Sequence, residues 1–442
     1  LAAALLLALL LLAPAARAFD IQEVVSPGGI KAWLVEDHSN PLIAVSVAFN
    51  GGAAGDPKGR EGLAMMVSAL LDEGAGSLDS AAFQQREADL AVDLGFDSDL
   101  DSFGGQFRVL SSRREEGFEL LRLALSAPRF DAPAVERIRG QLIAGLAAEA
   151  DDPARIADLA WWRAAFPEHP YGRPADGTPQ SVARITADDL HAFVAAHFGR
   201  NNMVLGVVGD IDAKTLGLLL DRTFGALPAT VAPPSVPDAK PAGAGGLVVI
   251  DRDVPQSVVS FGTAGVKRDD PDYYAAAIID YILGGGGFAS RLTREVREKR
   301  GLAYSIDSYL DPLDHAGLLL GTFGTQNARV AESIDVVRQV WQRLRDEGPT
   351  AQELADAKTY LIGSYPLHLT STLRVAQLLT GQQLAGLDRH YIEHRADYFN
   401  AVTLEDAKRV ARRLLDPAAL SLVVVGRPEG LASKAAVAGN PG

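Results

Sequence analysis

The strongest constraint on this chain is an internal repeat. Thr186-Ala-Asp-Asp-Leu opens a helix that leads into the strand Met203-Val-Leu-Gly-Val-Val-Gly209. Thr403-Leu-Glu-Asp-Ala opens another that leads into Leu420-Ser-Leu-Val-Val-Val-Gly426. The two helix starts, the two strand-ending glycines, and the pairs Gly28-Gly29 and Gly245-Gly246 all lie 217 residues apart. A Thr that caps a helix, with acids in the first turn, satisfies free N–H groups and complements the helix dipole. Three matches at one spacing predict duplication of one domain, so the fold must be solved twice.

Residues 228–244 contain Pro228, Pro233, Pro234, Pro237 and Pro241, a density that excludes helix and sheet interior and predicts an exposed linker. This gives domains at 19–227 and 245–430, with a tail at 431–442 expected to be disordered. Ile30–Glu36 and Ile43–Phe49 read as strands. Leu63, Met66, Val67, Leu70 and Leu71 share one helical face. A helix is expected from Asp79/Ser80 to about Leu94. Phe96–Asp101 and Gly105–Leu110 read as strands paired around Phe103-Gly104, before helices at 114–126, 132–150 and 153–165. Hairpins followed by runs of helices predict an α+β architecture, antiparallel sheets covered by helices.

Residues 1–18, LAAALLLALLLLAPAARA, form a short apolar run ending in Ala16-Arg17-Ala18. That pattern predicts a signal peptide cleaved after Ala18, since the run is too short for a membrane anchor. Export without any cysteine points to a bacterial periplasm. The net charge of −14 argues against nucleic acid. Lack of cysteine excludes thiol nucleophiles and Cys-ligated metal, but eight histidines leave a His/carboxylate site open.

Several phrases carry a family resemblance. They are Gly62-Leu63-Ala64, then Phe166-Pro-Glu-His-Pro-Tyr171-Gly-Arg-Pro with Gly177, Thr178-Pro-Gln-Ser-Val182 and Asn201-Asn202-Met203. In the second half stands Ser290-Arg-Leu-Thr-Arg-Glu-Val-Arg297-Glu-Lys-Arg-Gly-Leu-Ala-Tyr304-Ser. From Ile21 to Gly426 the chain resembles the pitrilysin family of zinc peptidases, which includes insulin-degrading enzyme and mitochondrial processing peptidase. The resemblance implies two like α+β domains arranged as a clam shell around a peptide chamber.

Active members carry H-x-x-E-H after Gly-Leu-Ala and a further Glu on a later helix. Two His one turn apart hold Zn²⁺, and the Glu activates a water. Here Met65 and Ala69 stand at the His positions and Ser68 at the Glu. Ala144 and Gly145 stand where the third ligand belongs, and Glu149 is about a turn out of register. A thioether and small residues cannot hold zinc, and Met65 and Met66 are expected to pack in the core. This chain is therefore expected to bind no metal and to have no peptidase activity alone. His390-Tyr391-Ile392-Glu393-His394 spells H-x-x-E-H in the wrong half, amid Asp388, Arg389, Arg395 and Asp397, and is read as a solvated helix face.

Arg297 and Tyr304 remain. The resemblance implies that such a pair, seven residues apart, contacts substrate near the scissile bond and supports the oxyanion. Gly284-Gly285-Gly286-Gly287 lacks the Lys of a phosphate loop and reads as a close-approach turn before Phe288. His169 is read as scaffold, and Trp161-Trp162 as core or interface. His38, His191, His197, His315 and His368 show no ligand spacing.

Shorter family members often pair, one subunit holding zinc and the other supplying the Arg/Tyr pair. The expectation is thus a non-catalytic subunit of a periplasmic heterodimeric zinc peptidase. Its partner would be a homologous zinc-binding subunit, its substrate a peptide or unfolded protein, and after signal cleavage it would have no membrane anchor. The alternatives are an inert peptide-binding or structural homodimer and a self-sufficient metalloenzyme using His390 and His394.

Overall fold

The computed structural model describes residues 20–242 and 245–432. The expectations for the leader and for residues 433–442 lie outside them. The first half builds β1 (Gln22–Val25), β2 (Lys31–Glu36), β3 (Leu42–Asn50), β4 (Asp93–Ser98), β5 (Ser102–Leu110) and β6 (Met203–Gly209) into a sheet of order β1-β2-β6-β3-β5-β4. The second half builds β7 (Leu247–Ile250), β8 (Gln256–Ala264), β9 (Ala303–Pro312), β10 (Gly317–Gln326) and β11 (Ser421–Val425) into the order β7-β11-β8-β10-β9. Without β1 the two orders superimpose strand for strand, as a duplication requires. The sheets are mixed rather than purely antiparallel. β2 runs parallel to β6, and β7 to β11, because nearly the whole half intervenes as the crossover between them.

The first half carries α1 (Leu63–Ser68), α2 (Ser80–Leu90), α3 (Arg114–Ser126), α4 (Ala132–Glu149), α5 (Pro153–Ala165), α6 (Pro179–Val182), α7 (Ala187–His197) and α8 (Ala213–Phe224). The second carries α9 (Tyr273–Asp280), α10 (Val330–Glu347), α11 (Ala351–Gly363), α12 (Thr372–Leu384), α13 (Tyr391–Ala401) and α14 (Leu404–Leu414). Thr186 caps α7 and Thr403 caps α14, each by a reciprocal box with the acid three residues on, Asp189 or Asp406.

Two local expectations shift. α2 stops at Leu90, because Ala91 turns left-handed (φ 51°) and the chain re-enters the sheet at Asp93. The β4–β5 turn is Asp99–Asp101, not Phe103-Gly104. Phe103 is fully buried within β5 and pairs with Phe49. Gly105 lies inside the strand because a Cβ there would come 2.9 Å from Phe96 and Val47.

The halves exchange one helix each. α5, from the first half, lies on the second sheet, with Ile156, Ala157 and Trp161 in one cluster with Leu318, Leu320, Val423 and Val425. α12, from the second half, lies on the first sheet, with Val375, Ala376 and Leu379 against Trp33, Val35, Ala44 and Val208. This explains why the central strands read as unbroken apolar runs. On β11, Leu422 and Val424 face the helices of their own half while Val423 and Val425 face α5. On β6, Leu205 and Val207 face their own helices, Val208 faces α12, and Gly206 leaves no room for a Cβ against the Ala376 carbonyl. Trp161 Nε1 donates to the Ser421 carbonyl at 3.4 Å, and Gln383 Nε2 to the Leu205 carbonyl at 2.9 Å.

The proline segment runs along this junction, exposed as expected but tied down. Val231 and Asn201 exchange two hydrogen bonds, His169 Nε2 lies 2.8 Å from the Pro237 carbonyl, and Ala239 N–H donates to His315. Beneath it, the buried Tyr171 hydroxyl lies 2.7 Å from both carboxylate oxygens of Asp101 and accepts from His315 N–H, while Asp314 N–H donates to Asp101.

Candidate functional site

The second half builds its site between β8 and the edge strand β9. α9 passes into a π-helical turn, Tyr281–Gly285, and after the glycine run a second, Thr293–Glu298, carries Arg297. π-turns are uncommon and cluster at functional sites. The glycines are required by contact: a Cβ on Gly284 would fall 2.6 Å from Ser308 N, and one on Gly286 2.6 Å from the Tyr281 carbonyl. Gly287 turns left-handed at φ 55°. Asp280 clamps the turn to β9 by accepting Ser308 Oγ at 2.6 Å; burial pushes its carboxyl up to about 7, with that hydrogen bond opposing.

This clamp leaves Phe288 at the tip of the glycine run, 67% exposed, and Tyr304 at the start of β9, 84% exposed. The half-buried Arg297 guanidinium lies over both rings, 4.7 Å from Phe288 and 4.9 Å from Tyr304. Of the neighbouring cations, Arg291 pairs with Glu353, and Lys299 and Arg300 with Glu295, while Arg294 has only the Ala289 carbonyl at 3.5 Å. Arg297 has no ion pair or side-chain hydrogen bond among the described residues. Arg297 and Tyr304 are thus brought together. Phe288 was passed over as the residue after the glycines; its signal was an apolar side chain at the end of a turn too tight to bury it.

The matching place in the first half lies between β3 and β4. Asp56 accepts the Leu63 and Ala64 N–H groups at 2.8 and 3.2 Å at the start of α1, and burial pushes its carboxyl up to about 7 despite those bonds. Met66 is fully buried, but Met65 is not; it and Ala69 share the partly exposed side of α1. The expectation of a core role for Met65 fails because a residue at this spacing lies on the open face. Ser68 is buried and its Oγ donates to the Met65 carbonyl at 2.8 Å. Ala144 and Gly145 are exposed on α4, and a Cβ on Gly145 would meet nothing within 4 Å. Among the described residues the Glu149 carboxylate reaches only Arg155, at 3.9 Å. These side chains offer no donor set for zinc. Among the described residues no hydrogen bond, ion pair or ring contact joins this face to Arg297 or Tyr304.

His390 precedes α13 and pairs with Glu393 at 3.5 Å; His394 pairs with Asp397 at 3.4 Å, and both histidines are exposed. α13 is anchored through Tyr391, Tyr398 and Phe399, which pack around Tyr274 and Arg268. Among the described residues no group of three or more His, Asp or Glu is placed to hold a metal ion. His197 is buried with Nδ1 2.9 Å from the Phe193 carbonyl, and Trp161 and Trp162 belong to the α5 junction. At that junction Asp311 on β9 is pushed up to about 6 by burial, then by Asp101, Asp99 and Asp158.

Residues 184–361 match the family model described as the peptidase M16 inactive domain. A non-peptidase homolog, YmxG, of Helicobacter pylori is 28% identical over 75% of this chain and 77% of its own length. An uncharacterized zinc protease of Mycobacterium bovis is 30% identical over 76% of this chain and 80% of its own. The crystal structure of a peptidase M16 inactive domain from Pseudomonas fluorescens is 29% identical, with a TM-score of 0.86, covering 92% of this chain and 98% of that one. The chain belongs to the pitrilysin-like M16 peptidase family.

Proposed function

We propose that this chain is the non-catalytic subunit of a heterodimeric, periplasmic zinc peptidase acting on peptides or unfolded proteins. The observation that carries the reading is the asymmetry of the two matching places. The metal face of α1 holds only Met65 and Ala69, while Tyr304 stands exposed and the half-buried Arg297 makes no ion pair among the described residues. A homologous partner brings the zinc and the general base. Arg297 and Tyr304 supply a fixed cation and a phenolic donor to the substrate carbonyl, most effective where the partner excludes water. The leader at residues 1–18 supports export.

Mixing the chain with a zinc-binding homologue tests this. Turnover of an unfolded substrate should require both, and Arg297→Ala should lower kcat by about 10²–10³-fold with the dimer intact. Undiminished turnover would remove Arg297 from the active site. The H. pylori relative named a non-peptidase homolog favours a second reading, a peptide-holding protein without hydrolysis. Peptide binding without turnover in any mixture would select it.

A further inference from the structure

The guanidinium of Arg297 is held but not neutralised. Its centre lies over two rings, at 4.7 and 4.9 Å, and a guanidinium carries five N–H donors in a fixed planar fork. None of them has a partner among the described residues, in a chain of net charge −14 with abundant carboxylates. The nearest acid in sequence, Glu298, is exposed and makes no ion pair with it, and Arg294 likewise lacks a carboxylate. The planar group that takes two of those donors at once is a carboxylate. Beside it, Phe288 and Tyr304 offer apolar surface that no other described residue covers. Further along β9 the charge reverses. Among the described residues Asp307 and Asp311 have no cation within ion-pair distance, so a carboxylate is favoured at the Tyr304 end and disfavoured at the other.

We propose that Phe288, Arg297 and Tyr304 form a subsite for the free C-terminal carboxylate of a peptide whose last residue is apolar. The proposal rests on the subunit reading only for its biological meaning. Hydrolysis of a peptide bond adds water across C–N, leaving an amine on one fragment and a carboxylate on the other. The oxygen that bears charge in the intermediate becomes part of that carboxylate, so a residue supporting the oxyanion also retains the acyl product. The final side chain of that product lies against Phe288, which makes Phe288 a specificity-determining residue, while its ring and that of Tyr304 position the guanidinium.

The test uses the isolated chain, with neither partner nor metal. Three fluorescein-labelled decapeptides of Gly, Ser and Ala are compared by anisotropy: one ending in Phe with a free carboxylate, its C-terminal amide, and a free acid ending in Ser. The Phe acid should bind at least about tenfold more tightly than the amide and severalfold more tightly than the Ser acid. Arg297→Gln should erase the acid-over-amide preference. Phe288→Ala should erase the Phe-over-Ser preference but keep the other, and Phe288→Leu should restore it in part. Equal affinity of acid and amide for the unaltered chain overturns the proposal without depending on any variant. So does a preference that survives Arg297→Gln. Failure of the subunit reading appears elsewhere, as absent turnover in the mixture, and leaves this comparison unchanged.

Discussion

The segment between β3 and β4 and the segment between β8 and β9 occupy the same place in a duplicated fold, yet they have diverged in opposite directions. In the first half two ordinary α-helices fill the place, and the open side of α1 presents Met65 and Ala69. In the second the chain departs from α-helical geometry twice to set Arg297 beside Phe288 and Tyr304. At the first place the side chains at Met65, Ser68, Ala69 and Gly145 offer no zinc ligand while the backbone of α1 and α4 stays regular. Keeping a positioned cation required backbone irregularity, four glycines and a buried acid at Asp280. The difference teaches that absence of ligands is a shallow change here, whereas the Arg297 site is built into the backbone.

The sharpest way to break this comparison is to reverse it. If α1 and α4 are intact scaffold, the parent chain should retain no zinc after dialysis, and Met65→His, Ser68→Glu, Ala69→His and Gly145→Glu together should give a chain that holds about one zinc ion. Metal analysis checks this, and failure in a folded variant would mean that the scaffold has drifted as well. The exchanged helices come next. Trp161→Ala should cost about 3–5 kcal/mol and Leu379→Ala about 2–5 kcal/mol. Because each helix serves the other half's sheet, urea unfolding should remain a single transition in both variants; melting of one half alone would refute the interlock.

A smaller effect separates the two ends of β9. The Asp311 carboxyl lies at about 6 in the folded chain against an ordinary 3.8. The folded state therefore binds its proton more tightly, and stability falls as pH rises through about 6. Asp311→Asn removes that loss and should make the chain more stable than the parent by about 1–2 kcal/mol near pH 7.5, after allowance for solvent screening, with the gain vanishing toward pH 4. Denaturant titrations at several pH values decide it. The smallest effect is expected at the other H-x-x-E-H. Joint replacement of His390 and His394 by Ala should change stability by no more than about 0.5 kcal/mol, since their contacts are exposed pairs. A larger loss in thermal melts would show that these pairs help hold α13.

Much of the fold could be read from local pattern. Thr186 and Thr403 are strong caps because their partners sit three residues away, and α3 and α5 fall where their periodicity places them. Arg297 and Tyr304 were visible because a motif carries both. Phe288 and the open side of α1 were not. Exposure of Phe288 depends on Ser308 and Asp280 crowding the glycines from elsewhere in the chain, and Met65 differs from Met66 only in which way the helix is turned.

By itself the sequence determined the duplication and the mixed helix-and-strand content, and its family resemblance marked out Met65, Ser68, Ala69 and Gly145 at the zinc-motif positions and the Arg297/Tyr304 pair. Each is written in residue type and in spacing along the chain. Only the tertiary structure decided which sheet α5 and α12 cover, that the proline segment is pinned across the junction, and that two exposed rings flank a guanidinium with no counter-ion among the described residues. The reason is physical. An apolar helix face encodes that it must be buried but not against which partner, and that choice is made by shape and contact between residues far apart in the chain.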